Sequence, residues 1–327
     1  MPITRRRALG ASLAALGLSP ALSSLAVAQA WPARPIRLIA PYGAGGSNDI
    51  LTRLLGEALA PRLGQSLVVE NKAGAGTRIA NELVARAEPD GYTVLHAAAP
   101  IAIGEALYPK LPYDAKKDFE PVVSTAIAPL FLIVNAAAPY KTVAEFIEYG
   151  KSRPDGLTFG SPGAGSAPHL SCELLMRAAG VKGLVVQFKG DAPAYTELLA
   201  GRIDATLTAI STAVPHIQAG KLRVLAVANE ERTPLYPQAP TIRESGYPTV
   251  VGYGWYGLLV PAGTPAAIVR RLNTETNAVL ADATIRQKAE AVGLQLRGGT
   301  SAELAAFMAG ETRKWAQVIK AANIVAE

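Results

Sequence analysis

Side chains able to act on a small molecule, or to hold one, gather in three glycine-rich stretches. The first is Tyr42-Gly43-Ala44-Gly45-Gly46-Ser47-Asn48-Asp49 and the second Gly74-Ala75-Gly76-Thr77-Arg78. The third is Gly160-Ser161-Pro162-Gly163-Ala164-Gly165-Ser166, with His169 three residues on. Each lies where a helix is expected to begin. Small residues let a ligand approach the backbone, and unpaired N–H groups with a helix dipole of roughly +0.5 charge favour an anion. Ser47, Asn48, Thr77, Ser161 and Ser166 add hydroxyls and an amide. One such loop is explained as well by turn geometry. Three together favour a polar ligand site.

Other chemistry is weakly supported. Ser166 and His169 invite a hydrolase reading, but no G-x-S-x-G elbow occurs, and a histidine on the same helix is not thereby a general base. Gly43-Ala44-Gly45-Gly46 opens like a dinucleotide fingerprint, yet Asn48 stands at the third glycine. No phosphate-binding GxxxxGK[ST] follows. His96, His169 and His216 have no metal-ligand spacing, and His169 with Cys172 makes only two ligands. No cofactor or metal is expected. Asp49 reads first as a helix-dipole partner, otherwise as a group shaping a pocket. Asp204, just after Gly201-Arg202, reads as a salt bridge or turn residue, otherwise as part of the site. Arg78 would stand in a first helical turn, against the dipole. It is either a solvated surface cation or the partner of a ligand carboxylate.

The elements that must position these loops alternate. Strands are expected at 36–40, 67–70 and 93–96, with helices after Ser47 or Asn48 as N-cap and over 79–87. Residues 108–121, rich in proline and charge, read as irregular. A second alternating run follows. It has strands at 131–135, 157–159, 184–188, 203–208 and 222–228. Its helices are expected at 143–151, 167–179, before Gly201, and 211–219. Thr142 and Glu145 form a capping box. Strand 255–260 then returns, with a helix capped by Thr264 and opened by Pro265, a helix over 283–291, and one from Thr300-Ser301-Ala302-Glu303 to Ala322. Strands alternating with helices at this spacing predict an α/β fold with parallel sheets.

Length and composition fit that reading. Of 327 residues, half are apolar and 18% charged, enough to bury two cores and too apolar for disorder. Residues 1–30 read as an export signal of twin-arginine type: Arg5-Arg6-Arg7, an uncharged stretch, then Ala28-Gln29-Ala30 for cleavage near Ala30. Without those three arginines the mature chain carries 29 basic and 26 acidic side chains, a net +3 rather than +6. No basic run with interleaved aromatics survives, so nucleic acid is not an expected partner. Cys172 is the sole cysteine, which rules out an intramolecular disulfide and reads as a core residue. An untethered exported protein suits the periplasm.

The order and spacing of several short segments carry a resemblance. They are Ala40–Asp49, Val69-Glu70-Asn71-Lys72-Ala73-Gly74-Ala75-Gly76, Pro89-Asp90-Gly91-Tyr92-Thr93, Gly160–Leu170, Phe188-Lys189-Gly190-Asp191-Ala192-Pro193-Ala194, Gly220–Arg223 and Pro261-Ala262-Gly263-Thr264-Pro265. Over 31–327 the chain resembles the Bug-type receptors of tripartite tricarboxylate transporters. The resemblance implies a periplasmic-binding-protein-like fold of two α/β domains with a hinge and a double chain crossover. Domain 1 would comprise 31–130 plus 252–327, and domain 2 would comprise 131–251. It implies a monomer that closes on a small carboxylated solute and delivers it to membrane transporter subunits, with no catalysis. An exported serine hydrolase using Ser166 and His169, or a sensor subunit, are the alternatives.

Carried over by position, Tyr42, Gly46, Ser47, Asn48 and Asp49 would form one wall, and Ser161, Ser166 and His169 the other. Thr77, Arg78 and Asp204 complete the candidate set. In the family, backbone amides, hydroxyls and water hold the ligand carboxylates. Two departures stand out: Thr77-Arg78 replaces the usual Gly-Asn, and Ala97-Ala98-Ala99 replaces polar residues after the third strand. The second implies a less polar end to the pocket.

Overall fold

The computed structural model describes residues 31–322; the export signal expected over 1–30 lies outside them. β1 (Ile36–Ala40) leads into α1 (Ser47–Leu63), and β2 (Leu67–Asn71) leads through a short 3-10 turn into α2 (Arg78–Ala85). β3 (Thr93–Ala98) leads into α3 (Pro100–Leu107). β4 (Phe119–Asn135) and α4 (Val143–Lys151) open the second run. It continues through β5 (Leu157–Ser161), α5 (Ala167–Ala179), β6 (Gly183–Gln187), α6 (Asp191–Leu199), β7 (Ala205–Ala209), α7 (Val214–Gln218) and β8 (Leu222–Val227). The chain returns through β9 (Tyr253–Pro261), α8 (Ala266–Ala281), α9 (Ala283–Ala291), β10 (Gln295–Leu296) and α10 (Ser301–Ala322).

Hydrogen bonding links the strands in the order β2-β1-β3-β9-β4-β7-β5-β6, with β8 and β10 also on β4. β1 is parallel to β2 and β3, and β5 is parallel to β6 and β7, as the alternation predicts. β9 runs antiparallel between β3 and β4. β4 serves both sides. Its first part, to Pro129, pairs with β9, and from Leu130 onward it pairs with β7 and β8. The loops after β1, β3, β5 and β6 all end in helix starts, the arrangement that puts a ligand crevice at the carboxyl ends of open α/β strands.

α1 shows why the elements form where they do. Leu51, Leu55 and Leu59, spaced four apart, are fully buried in one cluster with Ile36 and Leu38 of β1. Each contributes about 1.5–3 kcal/mol by leaving water. Gly64, at φ +75°, ends the helix in the left-handed conformation glycine adopts freely.

Several expectations need correction. β4 is 17 residues long, not five. Pro121 and Pro129 hide its first part in the sequence, and Pro121 sits at a shift of register where a proline is tolerated. α3 is nearly apolar all round, from Pro100 to Gly104, so it has no period to read. The N-cap of α1 is Gly46 with no side-chain cap, and that of α8 is Pro265, while Thr264 Oγ1 donates to the Pro261 carbonyl. Both capping boxes, Thr142–Glu145 and Thr300–Glu303, are present.

Candidate functional site

The starts of α1, α3, α5 and α6 converge on one small cavity. Tyr42, Gly46, Ser47 and Asn48 line it from the first loop and α1, Ala98 and Ala99 from the start of α3. Pro162 comes from the loop after β5, Ala167 and Pro168 from the first turn of α5, and Asp191 from the first residue of α6. Strand residues Ala128, Leu130, Thr208, Ala209, Gly254, Trp255 and Tyr256 close the floor. About 30 Å³ is open to the centres of water molecules, room for about two ordered waters. No lysine or arginine is among these residues.

Asp191 ties the walls together. One carboxylate oxygen accepts from Ser47 Oγ at 2.9 Å and from the Ser47 N–H at 3.3 Å; the other accepts from Thr208 Oγ1 at 2.6 Å. Among the described residues no cation reaches it. Burial pushes its carboxyl above the usual range, against the hydrogen bonds from Thr208 and Ser47. Burial and the Asp191 charge raise the Tyr42 phenol in turn. Beside this tie the Gly43 N–H donates to the Lys189 carbonyl at 2.9 Å. A Cβ on Gly43 would lie 2.6 Å from that oxygen, and one on Gly76 would lie 2.4 Å from the Ala164 carbonyl oxygen. Glycine is required at both approaches.

Asn48 and His96 form the wall behind. The Asn48 amide donates to the His96 carbonyl at 3.1 Å, which fixes the orientation of the group and leaves Oδ1 buried without a partner. Thr52 Oγ1 gives its proton to the Asn48 carbonyl at 2.6 Å, so it accepts from His96 Nδ1–H, also at 2.6 Å. His96 Nε2 then accepts from Thr125 Oγ1 at 2.9 Å. Complete burial holds the imidazole neutral, its pKa down to about 3.

The structure divides the sequence-predicted residues. Tyr42, Gly46, Ser47 and Asn48 line the cavity. Asp49 lies one step behind, accepting from the Gly45 N–H at 2.9 Å, Asn71 Nδ2 at 2.8 Å and Arg53. Burial pushes its carboxyl up, but Arg53, Gly45 and Asn71 together outweigh it and hold the pKa low. Asp49 thus shapes the loop. Thr77, at φ +73°, accepts from Asn81. Arg78 donates to the Ala75 carbonyl at 2.8 Å and lies 4.1 Å over the Tyr108 ring. Asp204 is bound to Arg153 and the Thr158 N–H, both at 2.7 Å, so its carboxylate is committed to the structure around β5.

Ser166 caps α5, its Oγ accepting from the His169 N–H at 3.2 Å, with Ser161 Oγ also 3.2 Å away. The His169 imidazole is turned elsewhere. Nδ1 accepts from the Gly165 N–H at 3.1 Å, and Nε2 lies 3.9 Å from a Glu173 carboxylate oxygen. Burial lowers its pKa to about 4. Neither ring nitrogen is hydrogen-bonded to Ser166 Oγ, so the pair is not arranged as nucleophile and base. Asp191, Thr208 and Trp255 were not singled out in the sequence. Asp191 alone carried a signal, an acid after glycine at an expected helix start.

Two α/β runs joined through a shared strand, with helix starts converging on a cavity between them, define a solute-binding protein of the periplasmic type. Residues 51–324 match the tripartite tricarboxylate transporter family receptor, TctC, and the chain belongs to that family. It is 34% identical over 313 residues to the protein BugT of Bordetella pertussis, covering 94% of this chain and 96% of that protein. Its fold superposes on the periplasmic binding protein BugD with a TM-score of 0.87 at 33% identity, over 91% of this chain and all of that one. Against MatC of Rhodopseudomonas palustris with bound malate the TM-score is 0.84 at 34% identity, over 88% of this chain and all of MatC.

Proposed function

We propose that this protein is a periplasmic receptor that captures a small carboxylated solute in the cavity and hands it to the membrane subunits of a tripartite tricarboxylate-type transporter. It works as a monomer, exported and cleaved near Ala30, and releases the solute unchanged. The observation that carries the reading is the convergence of the α1, α3, α5 and α6 starts on one cavity with no arginine or lysine in its lining. Backbone N–H groups and helix dipoles then supply the positive field. The malate in MatC supports a carboxylate as cargo.

Binding involves closure of residues 31–130 plus 252–327 against 131–251. The change of partner in β4 at Pro129–Leu130 supports a hinge near 128–132, and the chain crosses back near 248–254, where β9 begins. Ser47, Asn48 and Tyr42 meet the solute or water upon it. Asp49, Thr77, Ser161, Ser166 and His169 hold the loops in shape.

A thermal-shift screen of mono-, di- and tricarboxylates, aromatic ones included, followed by calorimetry on hits, tests this. A hit recovered unchanged from the protein, with scattering curves showing compaction at saturation, is the expected result. No stabilisation by any carboxylate would overturn it.

A further inference from the structure

Two residues that line the cavity carry hydrogen-bond acceptors not fully used within the chain, where a receptor for simple carboxylates needs donors. One acceptor belongs to Asp191 at the start of α6, the other to Asn48 in the first turn of α1. Asp191 is buried, lines the cavity, and has no cation against it among the described residues. A carboxylate offers about four acceptor positions. Ser47 Oγ, the Ser47 N–H and Thr208 Oγ1 fill three, which leaves one. Asn48, 1% exposed, turns its amide nitrogen to the His96 carbonyl and keeps an unpartnered Oδ1. A buried acceptor without a donor is costly, and a buried carboxylate without a cation is more so. Donors lie on other walls, in the backbone N–H groups at the starts of α3 and α5.

Asp191 also changes which helix start can take an anion. Its carboxylate sits on the Ser47 N–H and hydroxyl at the start of α1, the position a solute carboxylate would otherwise occupy. That anion site is filled from within the chain. A solute carboxylate placed beside it would bring a second negative charge to a site where burial already disfavours the first. The starts of α3 and α5, at Ala99 and Ala167, carry no such internal acid in the lining.

Resting on the carboxylate-receptor reading, we propose that the cavity selects a small acid bearing one carboxylate and a hydrogen-bond-donating substituent, ammonium above hydroxyl. The donor meets Asp191 and Asn48. The carboxylate lies toward the starts of α3 and α5. Asp191 is the specificity-determining residue: it welcomes the donor and rejects a second carboxylate.

Calorimetry on the mature chain with four-carbon acids tests the assignment: butanoate, its 2- and 4-hydroxy and 2- and 4-amino derivatives, and succinate. At least one amino acid of the set should bind about ten- to a hundredfold more tightly than butanoate and succinate, with its hydroxy analogue between. In Asp191→Asn, which keeps an acceptor for Ser47, the preference for ammonium over hydroxyl should fall about tenfold or more and succinate should bind more tightly. Succinate or butanoate binding most tightly to the unmutated protein would overturn the proposal while leaving the receptor reading intact. So would an unchanged preference in folded Asp191→Asn. The ligand series on the unmutated protein decides the matter alone should the variant not fold. If no acid of this set or of the wider screen binds, the receptor reading itself falls.

Discussion

Ser47 and Asp191 meet across the cavity, one carboxylate oxygen taking both the hydroxyl, at 2.9 Å, and the backbone N–H, at 3.3 Å. The two residues are 144 positions apart in the chain, so the contact joins the first loop to the start of α6. In Ser47→Ala the N–H remains and the hydroxyl bond is lost. A hydrogen bond to a charged group is worth about 1.5–3 kcal/mol. The variant should lose about that much of chemical-denaturation stability, or show it as a shift of the scattering curve toward a more open form. Unchanged values in both measurements would show that the tie carries no weight.

Gly43→Ala should hold the walls apart. The added methyl would lie 2.6 Å from the Lys189 carbonyl oxygen, a backbone atom that cannot swing aside. Scattering of the variant should show a larger radius of gyration than the unmutated protein at saturating solute, and affinity should drop by about 1–3 kcal/mol. A normal closed curve would contradict this.

Stability should fall on the acid side. His96 has its pKa lowered to about 3 by burial, against an ordinary value of 6.5. Below about pH 6.5 the unfolded chain takes up a proton that the folded chain refuses, so stability present above 6.5 is lost down to about pH 3. The loss is about 1.4 kcal/mol per pH unit for this one group. The ring is faced by Thr52, Thr125, Asn48 and the Tyr256 ring, none of which titrates in that window. Urea melts at pH 7, 6 and 5 should show the slope, reduced by about one proton in His96→Gln. An equal slope in both would point to other groups.

Arg78→Ala should leave solute affinity within about twofold. The guanidinium is engaged with the Ala75 carbonyl and the Tyr108 ring, and it does not line the cavity. The variant should instead lose a few tenths to about 1 kcal/mol of stability through the ring contact. A large loss of affinity would return Arg78 to the site.

Much of the architecture was legible because its signals are local. Alternating apolar strands, capping boxes at Thr142 and Thr300, and glycine loops before α1 and α5 each depend on a few adjacent residues. β4 and α3 were not legible, the one interrupted by prolines and the other apolar on every side. The site divided in the same way. Tyr42, Gly46, Ser47 and Asn48 could be named from one loop. Asp191, Thr208 and Trp255 reach the cavity only once β7, β9 and α6 are assembled around β4. Ser47 donates its hydroxyl to Asp191, while Ser166 Oγ accepts the His169 N–H. A partner 144 positions away leaves no trace in local spacing.

β4 ends one pairing at Pro129 and begins another at Leu130 without a break in the strand. The two halves of the sheet therefore share one continuous strand, residues 119–129 lying on β9 and 130–135 on β7 and β8. Any turning of one half of the sheet against the other must therefore bend or twist the β4 backbone itself, rather than slide along an interface between separate strands.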